Sequence, residues 1–228
     1  MSTKFHSNMY GWEYVWRDFA DSKGGQVVED QTKTNSPIVS MHIPVEGTDT
    51  SVNFAPFRLK GDKKGDKGTS ATIHFAQRES FVFSIRSEKG MDQIGKMMGL
   101  QDIQMGDQEF DERFLIQGSD PGKVVHIFAE MDLRDLLLSQ NTAELRLVQE
   151  TDHLPTELKV PKGRQAVVFA HNDRVDKFEQ LEAIFMILTS TVHRLGAIPA
   201  IAGEEVDEPA QEQQRTSGKL HSPLLDMA

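Results

Sequence analysis

The stretch FDERFLIQGSDPGKVVHIF, Phe110–Phe128, decides how the chain is read. Alternation predicts a strand over Phe110–Gln117 in which Phe110, Phe114 and Ile116 share one face, with Glu112 as its polar exception. Asp111, Arg113 and Gln117 point the other way beside Leu115, so Phe110 and Phe114 are expected in the core. The chain then turns at Gly118. Ser119 or Asp120 is placed to cap a helix, and Pro121 suits its first position, where a missing N–H costs nothing. That helix is expected to run to about Ala129. A further one, capped by Asp132 and reaching about Ser139, carries a stripe of Leu133, Leu136 and Leu137.

Upstream, Trp12, Val15, Trp16 and Phe19 follow the i, i+3, i+4, i+7 rule, which predicts an amphipathic helix over Met9–Asp21, ended by Gly24 and Gly25. Four β-prone runs follow: Ile38–Val45, Ser51–Leu59, Ala71–Gln77 and Ser80–Ser87. They are expected to form an antiparallel meander. Met91–Met98 reads as a short helix stopped by Gly99, its methionines packing an irregular gap. Downstream, Ala143–Glu150 and Gly163–His171 are two more strands. Asn172 or Asp173 then caps the strongest helix, with Phe178, Leu181, Ile184, Phe185, Leu188, Val192 and Leu195 on one face and Gly196 at its end. The fold class is therefore α+β, an antiparallel sheet covered by N-terminal and C-terminal helices. Residues 1–202 are expected to form one domain. Residues 203–228 lack aromatics and gain acidic and amide side chains, which predicts a disordered tail.

The chain has 228 residues and a formal net charge of −10, which argues against a nucleic-acid partner. It has no cysteine, and so no disulfide, thiol nucleophile or cysteine-ligated zinc. MSTKFHSNMYGWEYVW has no basic segment followed by an apolar core, and so gives no secretory signal. The most apolar run, Ala183–Val192, is about half of the roughly 20 residues that a membrane span needs. A cytoplasmic protein is expected.

The segment GLQDIQMGDQEFDERFLIQGSDP, Gly99–Pro121, resembles an uncharacterised family of bacterial proteins that carry a domain of unknown function. The similarity covers a Gly-Asp lead-in, an FD-x-x-F strand, a helix begun at Asp-Pro, a leucine-rich helix, and a late strand followed by a long helix. It runs from about Phe81 to Leu195, and FDERF with Asp120 and Pro121 is its most specific part. The resemblance implies a shared α+β domain and brings no reaction, cofactor or catalytic residue with it. Some relatives join a similar domain to membrane-spanning segments, of which this chain has none.

No motif carries chemistry across. KGDKKGDKG, Lys60–Gly68, lacks the Gly-Lys-Ser/Thr of a phosphate loop and reads as a solvated hairpin loop. The eight histidines include no i, i+4 pair, although His42 and His74 lie in strands and could meet across the sheet as a metal site. Asp102, Asp107 and Asp111 fit no calcium-loop template and read as turn and capping residues. With His126 they are the candidates for a hydrolase. There is no G-x-S-x-G. No catalytic residue, metal or cofactor is assigned. The leading reading is a non-enzymatic interaction or scaffold module with a protein partner; the alternatives are a small-molecule or lipid site between sheet and helix, and the hydrolase. Candidate contact residues are Tyr10 and Tyr14, on a different part of the first helix from its tryptophans, and Leu220, Leu224 and Leu225 in the tail.

Overall fold

The computed structural model describes residues 11–30, 38–57, 68–76, 80–87, 101–140, 143–150 and 160–196. In chain order the elements are α1 (Trp12–Ser22), β1 (Gln26–Glu29), β2 (Ile38–Pro44), β3 (Ser51–Phe57), β4 (Gly68–Ala76), β5 (Phe83–Ser87) and β6 (Gln101–Asp102). There follow α2 (Gln108–Arg113), β7 (Phe114–Gly118), α3 (Pro121–Ile127), α4 (Met131–Leu138), β8 (Ala143–Gln149), β9 (Arg164–His171) and α5 (Phe178–Arg194). The nine strands of the described residues join one sheet in the order β1-β2-β3-β4-β9-β8-β5-β7-β6, and every pairing among them is antiparallel. The α+β architecture expected from the sequence is present, with α1 and α5 packed on the sheet.

Pairing lines the core up in rows. One row crosses eight strands as Val27, Met41, Phe54, Ala71, Phe169, Leu145, Ile85 and Ile116. Helix α1 lays Val15, Trp16 and Phe19 over it, and α5 adds Leu181, Ile184 and Leu188, all buried. Phe19 stands edge-on to Phe54 at 6.0 Å and to Phe178 at 5.2 Å, a geometry that opposes ring edges to faces. Gly24, at φ +66°, lets α1 turn sharply into β1. At Gly118 a Cβ would lie 2.6 Å from Val124, so only glycine lets α3 sit this close to β7.

Four expectations are corrected. FDERF is not a strand: Gln108–Arg113 is a helix capped by Asp107, whose side chain accepts from the Phe110 N–H at 3.2 Å, and β7 begins only at Phe114. Phe110 and Phe114 are four apart, a spacing that satisfies both strand and helix periodicity. Both are buried, with ring centroids 4.9 Å apart, so their core assignment stands. The four early strands are not one meander: β2-β3-β4 is, but β9 and β8 lie between β4 and β5. Strands β8 and β9 are buried on both faces, the signature of central strands. Asp132 lies in the first turn of α4, whose N-cap is Glu130. Asn172 and Asp173 precede α5, whose N-cap is Lys177. That start is delayed because Val175 is held on both sides, its N–H by Thr69 Oγ1 at 2.9 Å and its carbonyl by Trp16 Nε1 at 2.8 Å.

Asp120 caps α3 as expected, accepting from the Lys123 N–H at 3.2 Å. The expected helix at Met91–Met98, residues 60–67 of the lysine-glycine loop and the tail at 203–228 lie outside the described residues.

Candidate functional site: the outer face of the sheet

The face turned away from α1 and α5 carries a second row, displaced by one residue in every strand from the apolar row. It runs Gln26, His42, Asn53, Thr72, Val168, Arg146, Ser84, Gln117 and Asp102, across all nine strands. Eight of its nine members are polar, whereas every member of its neighbour is apolar.

The row divides into two parts. Thr72, Val168, Arg146 and Ser84, on β4, β9, β8 and β5, are buried. Here the Arg146 guanidinium pairs with the Glu144 carboxylate two residues back along β8, both side chains at 5% exposure or less. Val148, Ala166, Val168 and Ala170 form a small apolar cluster on the same face with Val160. The wing made by β1, β2 and β3 is different. Gln26, His42 and Pro44 are exposed, and Ser40, Asn53 and Ala55 are partly so. Val28 and Val39 are exposed at the rim, at 45% and 41%. A register shift at Val28/Glu29 accounts for Val39, since it turns Ile38 into the core and Val39 outward.

A hydrogen-bonded chain crosses this wing. Asn53 Oδ1 can only accept, so His42 Nδ1–H donates to it, and His42 Nε2 accepts the Ser40 hydroxyl at 3.0 Å. Ser51 Oγ donates to the same Asn53 oxygen at 3.3 Å. The imidazole is thus held in one tautomer and orientation on an exposed surface.

The residues singled out from the sequence are placed as follows. His42 engages Asn53 of β3, while His74 lies on β4, the next strand over, two residues past Thr72, the register partner of Asn53; the two do not form a cross-strand pair. Among the described residues no group of three or more His, Asp or Glu side chains could hold a metal ion. Asp102 accepts from Gln117 Nε2 at 2.8 Å. Asp107 caps α2, and Asp111 accepts from the N–H groups of Met105 and Gly106 at 2.8 and 2.9 Å. Asp107 and Asp111 thus fill the turn and capping roles that the sequence predicts, whereas Asp102 pairs with a side chain of the neighbouring strand; His126 is exposed on α3. Tyr14 is 37% exposed on α1, apart from Trp16, which is fully buried; Trp12 stacks edge-on against Trp16 at 5.2 Å with Arg174 over its ring at 4.2 Å. Tyr10, Leu220, Leu224 and Leu225 lie outside the described residues.

Sequence reasoning missed the wing itself. SMHIP on β2 and SVNFA on β3 both alternate, but only the register aligns His42 with Asn53. Likewise AELRLVQE puts Glu144 and Arg146 on one face, and pairing with β5 and β9 shows that this face is sealed.

Fold and face together define an α+β domain built on one wholly antiparallel sheet, with an open polar wing. No family model matches the chain, and no curated protein matches it. Among solved structures the fold is similar to that of the mycobacterial trehalose monomycolate transport factor A, TtfA, with a TM-score of 0.51 at 8% sequence identity. The match covers 84% of this chain and 98% of that one. The likeness is one of fold. No described helix is long and apolar enough to cross a membrane.

Proposed function

We propose that the chain is a non-enzymatic interaction module that docks a protein partner on the β1–β3 wing of its outer face, in the cytoplasm of a bacterium. The observation that carries this reading is the contrast along one row: Gln26, His42 and Asn53 are accessible while Thr72, Arg146 and Ser84 are sealed. Accessible hydrogen-bonding groups beside the exposed Val28 and Val39 offer the mixed polar and apolar area on which protein contacts are built. Asp102, Asp107 and Asp111, the carboxylates that the sequence singled out for acid–base chemistry, are instead committed to a cap, a turn or a side-chain pair. Two further supports are weaker. The resemblance over Phe81–Leu195 is to a bacterial domain without an assigned reaction, and the fold neighbour is named as a transport factor. The alternative of a ligand between sheet and helix meets a space filled by Trp16, Phe19, Phe54 and Phe169, all fully buried.

The test is chemical cross-linking in cells followed by quantitative mass spectrometry, comparing the full chain with Ser40→Arg/Asn53→Arg and with Lys162→Glu, a control far from the wing. Loss of one reproducible partner from the wing variant alone is expected. Equal recovery from all three, with circular dichroism unchanged, overturns the reading.

A further inference from the structure

Strand β1 closes one end of the sheet: among the described residues it pairs with β2 on one side and with no strand on the other. Sheet edges are ordinarily guarded against other chains by lysine, proline or inward-pointing charge. The β1 sequence QVVE has no lysine or proline, and its one charge, Glu29, is neutralised by Arg17 of α1 at 2.6 Å. Val28 stands 45% exposed on this edge. With His42 neutral, no other residue of β1, β2 or β3 carries a formal charge, in a chain of which 26% of residues are charged.

The missing charge selects the occupant. Two copies of a chain at −10 repel each other, and they can meet only through an area without an excess of carboxylates. An antiparallel edge is also its own complement under a two-fold axis, and every pairing among the described strands is antiparallel. With the axis at Val27, each Val27 meets its copy, each Gln26 lies opposite a Val28 and each Glu29 opposite a Gly25, so no like charges oppose. The apolar row that starts at Val27 and Met41 would then run on into the second molecule.

We propose that the partner taken by this wing is a second copy of the chain, paired β1 to β1 so that the two sheets become one. The proposal rests on the reading of the wing as a docking surface and names its occupant. Four residues and a register shift at Val28/Glu29 make a short pairing, so the dimer forms in a concentration-dependent equilibrium.

Sedimentation velocity on the full chain over a concentration series reads the association. A monomer–dimer equilibrium is expected, strengthened by added salt, because salt screens the repulsion between acidic surfaces while the contact itself is uncharged. Amide exchange within Gln26–Glu29 should slow as the dimer forms. Val28→Lys should weaken association by about tenfold, since it sets a charge beside the axis in both copies. Met131→Lys, on α4 at the 65% exposed Met131, should leave association unchanged. Circular dichroism checks that the fold survives, and Gln26→Lys, on the same exposed edge, gives the same reading if Val28→Lys does not fold. A chain that stays monomeric, an association that salt weakens, a dimer indifferent to the edge lysines, or exchange at β1 unaltered by dimerisation overturns the proposal. A monomeric chain that still loses a cross-linked partner through Ser40→Arg/Asn53→Arg keeps the docking reading and removes only the second copy.

Discussion

Two rows of side chains, one residue apart in every strand, meet opposite fates. Val27, Met41, Phe54, Ala71, Phe169, Leu145, Ile85 and Ile116 disappear beneath the helices, and Gln26, His42, Asn53, Thr72, Val168, Arg146, Ser84 and Gln117 face the other way. Because side chains alternate with a period of two, a slip of one residue in any strand would exchange its members between the rows. The register is therefore pinned by the apolar row, and the polar row is carried along with it. The outer face gains its order from packing on the other side of the sheet.

The largest expected effect is on the apolar side. Phe114 is buried beside Phe110, and Phe114→Ala should destabilise by about 3–5 kcal/mol in chemical denaturation through lost burial and a cavity. A loss below about 1 kcal/mol would break the distinction between the faces at that point. Next comes the sealed part of the polar row. Arg146→Ala strips the guanidinium from a buried carboxylate and should cost about 3 kcal/mol, while Glu144→Leu/Arg146→Met together should cost far less, since a buried pair is often replaceable by apolar groups of like volume. If the double variant is as unstable as the single one, the pair is held by more than its mutual charge.

Asp111→Ala follows, at about 2 kcal/mol, because a carboxylate receiving two backbone N–H groups is a charge-assisted anchor; unaltered stability would return this residue to the list of candidates for chemistry. The smallest stability effect belongs to the open wing. His42→Ala should move the denaturation midpoint by no more than about 0.5 kcal/mol's worth, as surface substitutions do, yet weaken any partner found there. Should it instead unfold the protein, the wing is structural and the contrast along the polar row disappears.

How far the sequence carried depends on the range of the interactions involved. Trp12, Trp16 and Phe19 announced α1, and Asp120 with Pro121 announced α3, because these signals are contained within one or two turns. Phe110 and Phe114 were legible as core but not as helix, since a spacing of four serves either period. The cap of α5 was misplaced because Asn172 and Asp173 are good caps locally, and what delays the helix is the hold of Thr69 and Trp16 on Val175, residues distant in the chain. The wing was invisible for the same reason. Nothing within β2 says that His42 will stand opposite Asn53.

The position of β8 and β9 between β4 and β5 also governs when the molecule can be finished. Synthesis from the N-terminus supplies β1 to β4 first and β5 to β7 later, and neither group can close against the other. Each has to wait for a hairpin that ends at His171. Until then β4 and β5 are bare edges, with inward side chains such as Ile73, Phe75, Phe83 and Ile85 and unpaired backbone groups able to recruit another chain. A ribosome that stalls, or a protease that cuts, before that hairpin is made would release two adhesive half-sheets rather than a smaller version of the fold. Strands β8 and β9 are the keystone, and the interval before they arrive is when this chain most needs protection.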